Sequence, residues 1–132
     1  MLEPNHFKEN EAWVAFQLND DPVRTEQDGN FNCVALMDAA SGFIFGTAFV
    51  SVDEHEPPPF EIRRLFETSL ERSGCNPATL FIPTGQYQSA FPAEAKRHGV
   101  EVVPVQGSEL LALTGEARQG FGGAHNMSIQ SL

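Results

Sequence analysis

Residues 32–46, NCVALMDAASGFIFG, hold two apolar runs separated by Asp38-Ala39-Ala40-Ser41-Gly42. A link this short joins two strands only by doubling back. The runs 31–37 (FNCVALM) and 43–52 (FIFGTAFVSV) are therefore expected to form an antiparallel hairpin. Gly46 lies inside the second run, where a residue without a side chain marks a bulge or a close backbone approach. Upstream, 13–18 (WVAFQL) is short, aromatic and β-branched, and it stops at Asn19-Asp20-Asp21-Pro22. That is a strand ended by a turn. Asp28-Gly29-Asn30 signals a second turn just before the hairpin.

Downstream the period changes. Asp53 to Glu56 are acidic or imidazole-bearing, and Pro57-Pro58-Pro59 favours an extended segment. Ile62, Leu65, Phe66, Ser69 and Leu70 then recur at helical spacing, and Gly74 can supply a left-handed stop. Residues 79–82 (TLFI) read as a short buried strand. A helix follows from Ala90 to His98, with Pro92 tolerated in its first turn and Gly99 closing it. Residues 100–105 (VEVVPV) are another strand, and Pro104 suits an edge. Ser108 can cap a last short helix through Leu110, Leu111, Leu113 and Ala117. Three strands with short links pair antiparallel, whereas strands that return through helices pair parallel by right-handed crossovers. The pattern predicts an α/β domain with a mixed five-stranded sheet and helices packed on it. Residues 1–118 form that domain, with 1–11 a polar, frayed leader. Residues 119–132 are a glycine-rich tail expected to be irregular, in which Phe121 could insert into a partner.

The chain has 132 residues, 41% of them hydrophobic, with eleven Phe, which fits a packed core. Its net charge of −10 repels nucleic-acid phosphates, so nucleic acid is not an expected partner. The same acidity leaves open an alternative, a mimic of DNA that occupies a basic protein. Cys33 and Cys75 form no CxxC or Cys/His cluster, which argues against structural zinc and fits buried or half-buried thiols in a reducing compartment. The first ten residues are polar and acidic, unlike a secretory signal, and no apolar run approaches the roughly 20 residues of a membrane span. A cytoplasmic protein is expected.

Trp13 opening the first strand, the run from Asn32 to Gly46, Gly85-Gln86-Tyr87-Gln88-Ser89, Phe91 and Gly99-Val100 occur in a joint order. It resembles the retroviral-type integrase and transposase catalytic core of the ribonuclease H-like superfamily, over roughly 13–117. That family writes Trp-x-x-Asp on its first strand, where this chain has Phe16. It writes Ser-Asp-Asn-Gly after its fourth strand, where this chain has Ile82-Pro83-Thr84-Gly85, so Pro83 or Thr84 stands in place of the second acid. Asp38 matches a family Asp that holds no metal, and the third acid could be Glu109 or Glu116. One Glu cannot hold two divalent ions, which need several oxygen ligands. The resemblance thus implies the scaffold with a degenerate active site and no metal cofactor. The second half is also similar to a domain of uncharacterised bacterial proteins that lacks catalytic acids.

Other residues offer rival chemistry. Asp53, Glu54, His55 and Glu56 are the densest set of potential ligands for Mg²⁺, Mn²⁺ or Zn²⁺. Consecutive residues point in different directions, so a solvated loop is the ordinary reading. Asp20 or Asp21 could replace the missing first-strand acid, though Asn-Asp-Asp-Pro is ordinary turn chemistry. An alternative enzyme, a Mg²⁺- or Mn²⁺-dependent nuclease or strand-transferase, would use Asp20 or Asp21, Asp53 and Glu116. Thr84, Gly85 and Ser89 could meet an anion at a helix start, or simply end a strand and cap a helix. No phosphate-loop motif is present. The expected function is a non-catalytic binding or interaction module, docking an unknown protein or a second copy of itself.

Overall fold

The computed structural model describes residues 1–24, 26 and 29–130, with the backbone alone for 122–130. Its strands are β1 (Ala12–Gln17), β2 (Val23–Arg24), β3 (Asn30–Asp38), β4 (Ile44–Ser51), β5 (Thr79–Pro83) and β6 (Glu101–Val105). The helices are α1 (Pro59–Ser73), α2 (Ala90–Arg97) and α3 (Leu111–Gln130), with 3₁₀ turns at Pro4–His6 and Gly107–Leu110. The sheet runs β4-β3-β1-β5-β6, and β2 lies beside the start of β3. β3 is antiparallel to β1, β2 and β4, whereas β5 is parallel to both β1 and β6.

The hairpin is the expected one. Its register slips between Leu36 and Met37, opposite Gly46 and Ile44. A Cβ on Gly46 would sit 3.0 Å from Leu65 Cδ1 of α1, so the glycine serves both a bulge and a close approach. Pro104 lies on β6 at the sheet's end, where its missing N–H costs no ladder bond. Gly74 ends α1 in the left-handed conformation, at φ 78°.

Alternation along β1 divides the core. Trp13 and Ala15 join Val34, Leu36, Phe45, Ile62, Phe66 and Phe91 on the face covered by α1 and α2. Ala12, Val14 and Phe16 join Cys33, Ala35, Met37, Phe81, Leu110 and Leu113 on the other. Ile62, Leu65, Phe66 and Ser69 are the buried face of α1, as their spacing required.

Several expectations need correction. A sixth strand, β2, forms in the link read as polar, because Val23 and Arg24 pair with Phe31 and Asn30. The leader is docked, not frayed: Leu2 N–H donates to Glu109 O, and Leu2 and Phe7 pack on the second core face. Ser108 caps nothing; Gln106 precedes the 3₁₀ turn, without a side-chain cap. The glycine-rich segment continues α3 as a helix to Gln130, across the boundary placed at 118. Phe121 contributes, lying partly buried against the second core face. Cys33 is buried but Cys75 is exposed, because the turn after Gly74 faces solvent. Asp28 of the expected second turn and residues 131–132 lie outside the described residues.

Candidate functional site

β1 and β5 run parallel at the middle of the sheet, pairing Ala12 with Thr79, Trp13 with Leu80 and Val14 with Phe81. The pairing stops at Val14 and Phe81; beyond it, at the ends of the two strands, Phe16 and Pro83 line one pocket. Both are buried. α3 crosses behind them with Thr114 and Arg118 one turn apart. Phe16, Gln17, Pro83, Gln86, Thr114 and Arg118 line a pocket of about 190 Å³, and no carboxylate is among its lining residues.

Arg118 is the charged group of this pocket. Its Nη2 donates to Asp20 Oδ1, whose side chain is 82% exposed. Its Nε is buried without a hydrogen-bond partner. Thr114 Oγ1 donates to Leu110 O at 3.1 Å, back-bonding within the helix. Gln17 Nε2 donates to Asn19 O at 2.7 Å. Asn19 is buried and holds the turn: its Oδ1 accepts from Cys33 N–H at 2.7 Å, and its Nδ2 donates to Asp21 O at 2.9 Å. The turn thus presents Asp20 to Arg118 and leaves Asp21 exposed.

The resemblance read from the sequence implies divalent metal near these strand ends. Mg²⁺ and Mn²⁺ take carboxylates, carbonyls and water. An apolar ring, a proline and a guanidinium do not fit such an ion, and the neutral oxygens of Gln17, Gln86 and Thr114 bring no carboxylate to offset the arginine. Among the described residues no three His, Cys, Asp or Glu come together as a metal-holding group. Asp53, Glu54 and His55 are exposed in the turn after β4, Glu109 is exposed in the 3₁₀ turn before α3, and Glu116 is exposed along α3. Asp38, at the end of β3, is occupied locally. Its Oδ2 accepts from Ser41 N–H at 3.0 Å and Ser41 Oγ at 2.6 Å, and its Oδ1 accepts from Asn10 N–H at 2.9 Å. It therefore ties the hairpin turn to the leader.

Glu56 has a role that sequence reasoning missed. Ser89 stands at the N-cap of α2 but makes no side-chain cap bond. Instead Glu56 Oε1 accepts from Ala90 N–H, giving the helix start a carboxylate from a distant segment. Glu54, His55 and Glu56 face Gly85 to Ser89 across a cleft of about 470 Å³. The anion considered for Thr84, Gly85 and Ser89 is thus supplied from within the chain. Nothing local in the sequence pairs residues so far apart. Tyr87, in the same loop, is buried with φ 54°, a left-handed conformation that costs a non-glycine residue energy. Packing against Phe91, with ring centroids 5.2 Å apart, helps hold it there. Burial pushes its phenol above the usual tyrosine range. Burial likewise raises the Cys33 thiol, against a smaller opposing effect of a hydrogen bond with Thr47.

No protein-family model matches the sequence, and no curated protein matches it. Solved structures do. A chain of the simian T-cell lymphotropic virus intasome in complex with PP2A regulatory subunit B56 gamma superposes with TM-score 0.59 at 10% identity, over 86% of this chain and 37% of that one. The catalytic core domain of BIV integrase superposes with TM-score 0.54 at 10% identity, over 83% of this chain and 65% of that one. In both cases this chain spans less than two thirds of its neighbour. Identity this low speaks to fold alone. The fold is ribonuclease H-like and resembles the retroviral integrase catalytic core. Among the described residues no helix is long and apolar enough to cross a membrane.

Proposed function

We propose that this is a non-catalytic ribonuclease H-like domain that works as a protein-interaction module. One observation carries the reading: Phe16 and Pro83, at the ends of the two central strands, line one pocket together with the Arg118 guanidinium. Metal-ion phosphoryl transfer needs oxygen ligands at that place, and an arginine there opposes cation binding. An interaction role is supported by exposed aromatics. Phe43, just before the outer strand β4, and Phe49, on it, are 54% and 52% exposed, and Phe60 at the start of α1 is 68% exposed. Exposed apolar surface of this kind suits a protein contact. The simian viral intasome, in complex with B56 gamma, is a case of this fold within a protein assembly. Two unpaired thiols, one of them exposed, suit the reducing cytosol.

Incubation of the full chain with Mg²⁺ or Mn²⁺ and end-labelled DNA and RNA is expected to leave both intact. Metal-dependent cleavage abolished by Glu116→Ala would overturn the reading in favour of an enzyme using Asp20 or Asp21, Asp53 and Glu116.

A further inference from the structure

We propose that the pocket beside Arg118 binds a small phosphate group, inorganic or esterified. The pocket stands where this fold would hold cations, yet its one charged lining side chain is positive. Asp20 takes a hydrogen bond from Nη2 of Arg118; the Nε–H is buried and unpartnered, so a turn of the side chain has to bring it to a ligand in the pocket. A buried donor left unpaired is costly, and a guanidinium presents its donors in a fork that matches two oxygens of a phosphate. The rest of the lining suits the same ligand. Gln17 spends one amide proton on Asn19 O and keeps the other, and Gln86 lines the same space. Thr114 has given its proton to Leu110 O, so its oxygen can only accept. It can therefore receive the P–O–H proton of a monohydrogen phosphate, which a carboxylate lacks. Phe16 and Pro83 wall the pocket with apolar surface, which strengthens charge pairing inside it.

Asp20 is the tethered competitor. Its carboxylate reaches Arg118 from solvent, and an exposed ion pair is held weakly. A phosphate entering the pocket displaces it or shares the guanidinium with it. The net charge of −10 opposes every anion, so binding weakens as Asp20 and its acidic surroundings are left in place.

The inference rests on the metal-free reading above, and its test is separate from the cleavage assay. The full chain is titrated with sodium phosphate against sodium chloride at matched ionic strength. Melting temperature and the Arg118 Nε–H resonance are followed. Phosphate is expected to raise the melting temperature saturably and shift that resonance. Arg118→Gln should abolish the thermal response, and Arg118→Lys, which keeps the charge without the fork, should weaken it; the Lys variant decides the matter if the Gln variant fails to fold. Asp20→Asn should tighten phosphate binding about fivefold, the equivalent of a surface pair worth about 1 kcal/mol. Phenyl phosphate binding more tightly than inorganic phosphate assigns the site to an ester, and the reverse order assigns it to the free ion. A flat phosphate titration of the unaltered chain, an unchanged response in Arg118→Lys, or weaker binding in Asp20→Asn overturns the inference. Cleavage with Mg²⁺ would overturn the metal-free reading instead.

Discussion

On one face of the sheet, Trp13 packs against Phe45 and Phe66, with ring centroids 4.9 and 6.2 Å away, and Phe66 leads on to Phe91. Two helices of clear amphipathic spacing cover this layer. On the other face β1 and β3 offer Ala12, Val14, Phe16, Cys33, Ala35 and Met37, with a single ring among them, under α3 and the docked leader. Each face also carries a carboxylate spent on a charge or dipole belonging to its helices. Glu56 sits half-buried against the start of α2, whereas Asp20 reaches Arg118 of α3 from solvent. The first face is built on a layer of large rings, with its openings at the rim, beside β4 and before α2. The second leaves a pocket at the ends of β1 and β5, beside a loose ion pair. Stability should therefore concentrate on the first face, and ligand response on the second.

The largest expected effect is on the aromatic layer. Trp13→Ala removes a wholly buried ring and should cost about 3–5 kcal/mol, read as a fall in urea midpoint. Trp13→Phe should cost much less. It keeps most of the volume and removes the indole Nε1–H, which is buried without a partner. If the two substitutions cost the same, the layer is not held by ring packing, and the contrast between the faces fails.

Next comes the carboxylate of the first face. Glu56→Ala strips α2 of its cap and should cost about 0.5–2 kcal/mol by the same denaturation measurement. Glu56→Gln keeps an acceptor oxygen and loses only the charge, so it should fall between the two. Amide hydrogen exchange at Ala90 should rise in Glu56→Ala before the rest of α2 is affected.

The same contrast explains what the sequence could show. The first face was legible because its signals are local. The short link after Asp38 forced a hairpin, the recurrence from Ile62 to Leu70 set the helix face, and Gly46 marked both bulge and contact. The middle of the sheet was legible by position: Phe16 and Pro83 could be placed at the strand ends from residue order. The second face depends on contacts between distant segments. Leu2 docks by bonding Glu109, Phe121 adds apolar burial to a glycine-rich stretch, and Arg118 meets Asp20 across 98 positions. Local propensity is silent on such pairings, and in the glycine-rich stretch it pointed toward irregular chain. Glu56 escaped for the same reason: its acidic run is ordinary as a solvated loop, and only the fold carries it to α2.

The smallest expected effect tests the loose ion pair itself. Asp20→Asn removes one charge from a pair whose carboxylate is mostly in water, so its cost should lie within ~0–1 kcal/mol at low salt. Screening should shrink that cost further, because the Debye length falls from about 10 Å at 0.1 M to about 3 Å at 1 M. The Glu56→Ala cost should hardly change over the same salt range, since its hydrogen bond to Ala90 is partly buried. The measurement is therefore a pair of denaturation series across salt, one for each variant. A large, salt-insensitive loss in Asp20→Asn would mean that this contact clamps α3 to the sheet. The second face would then be as firmly closed as the first, and Asp20 could not yield its place to an incoming anion.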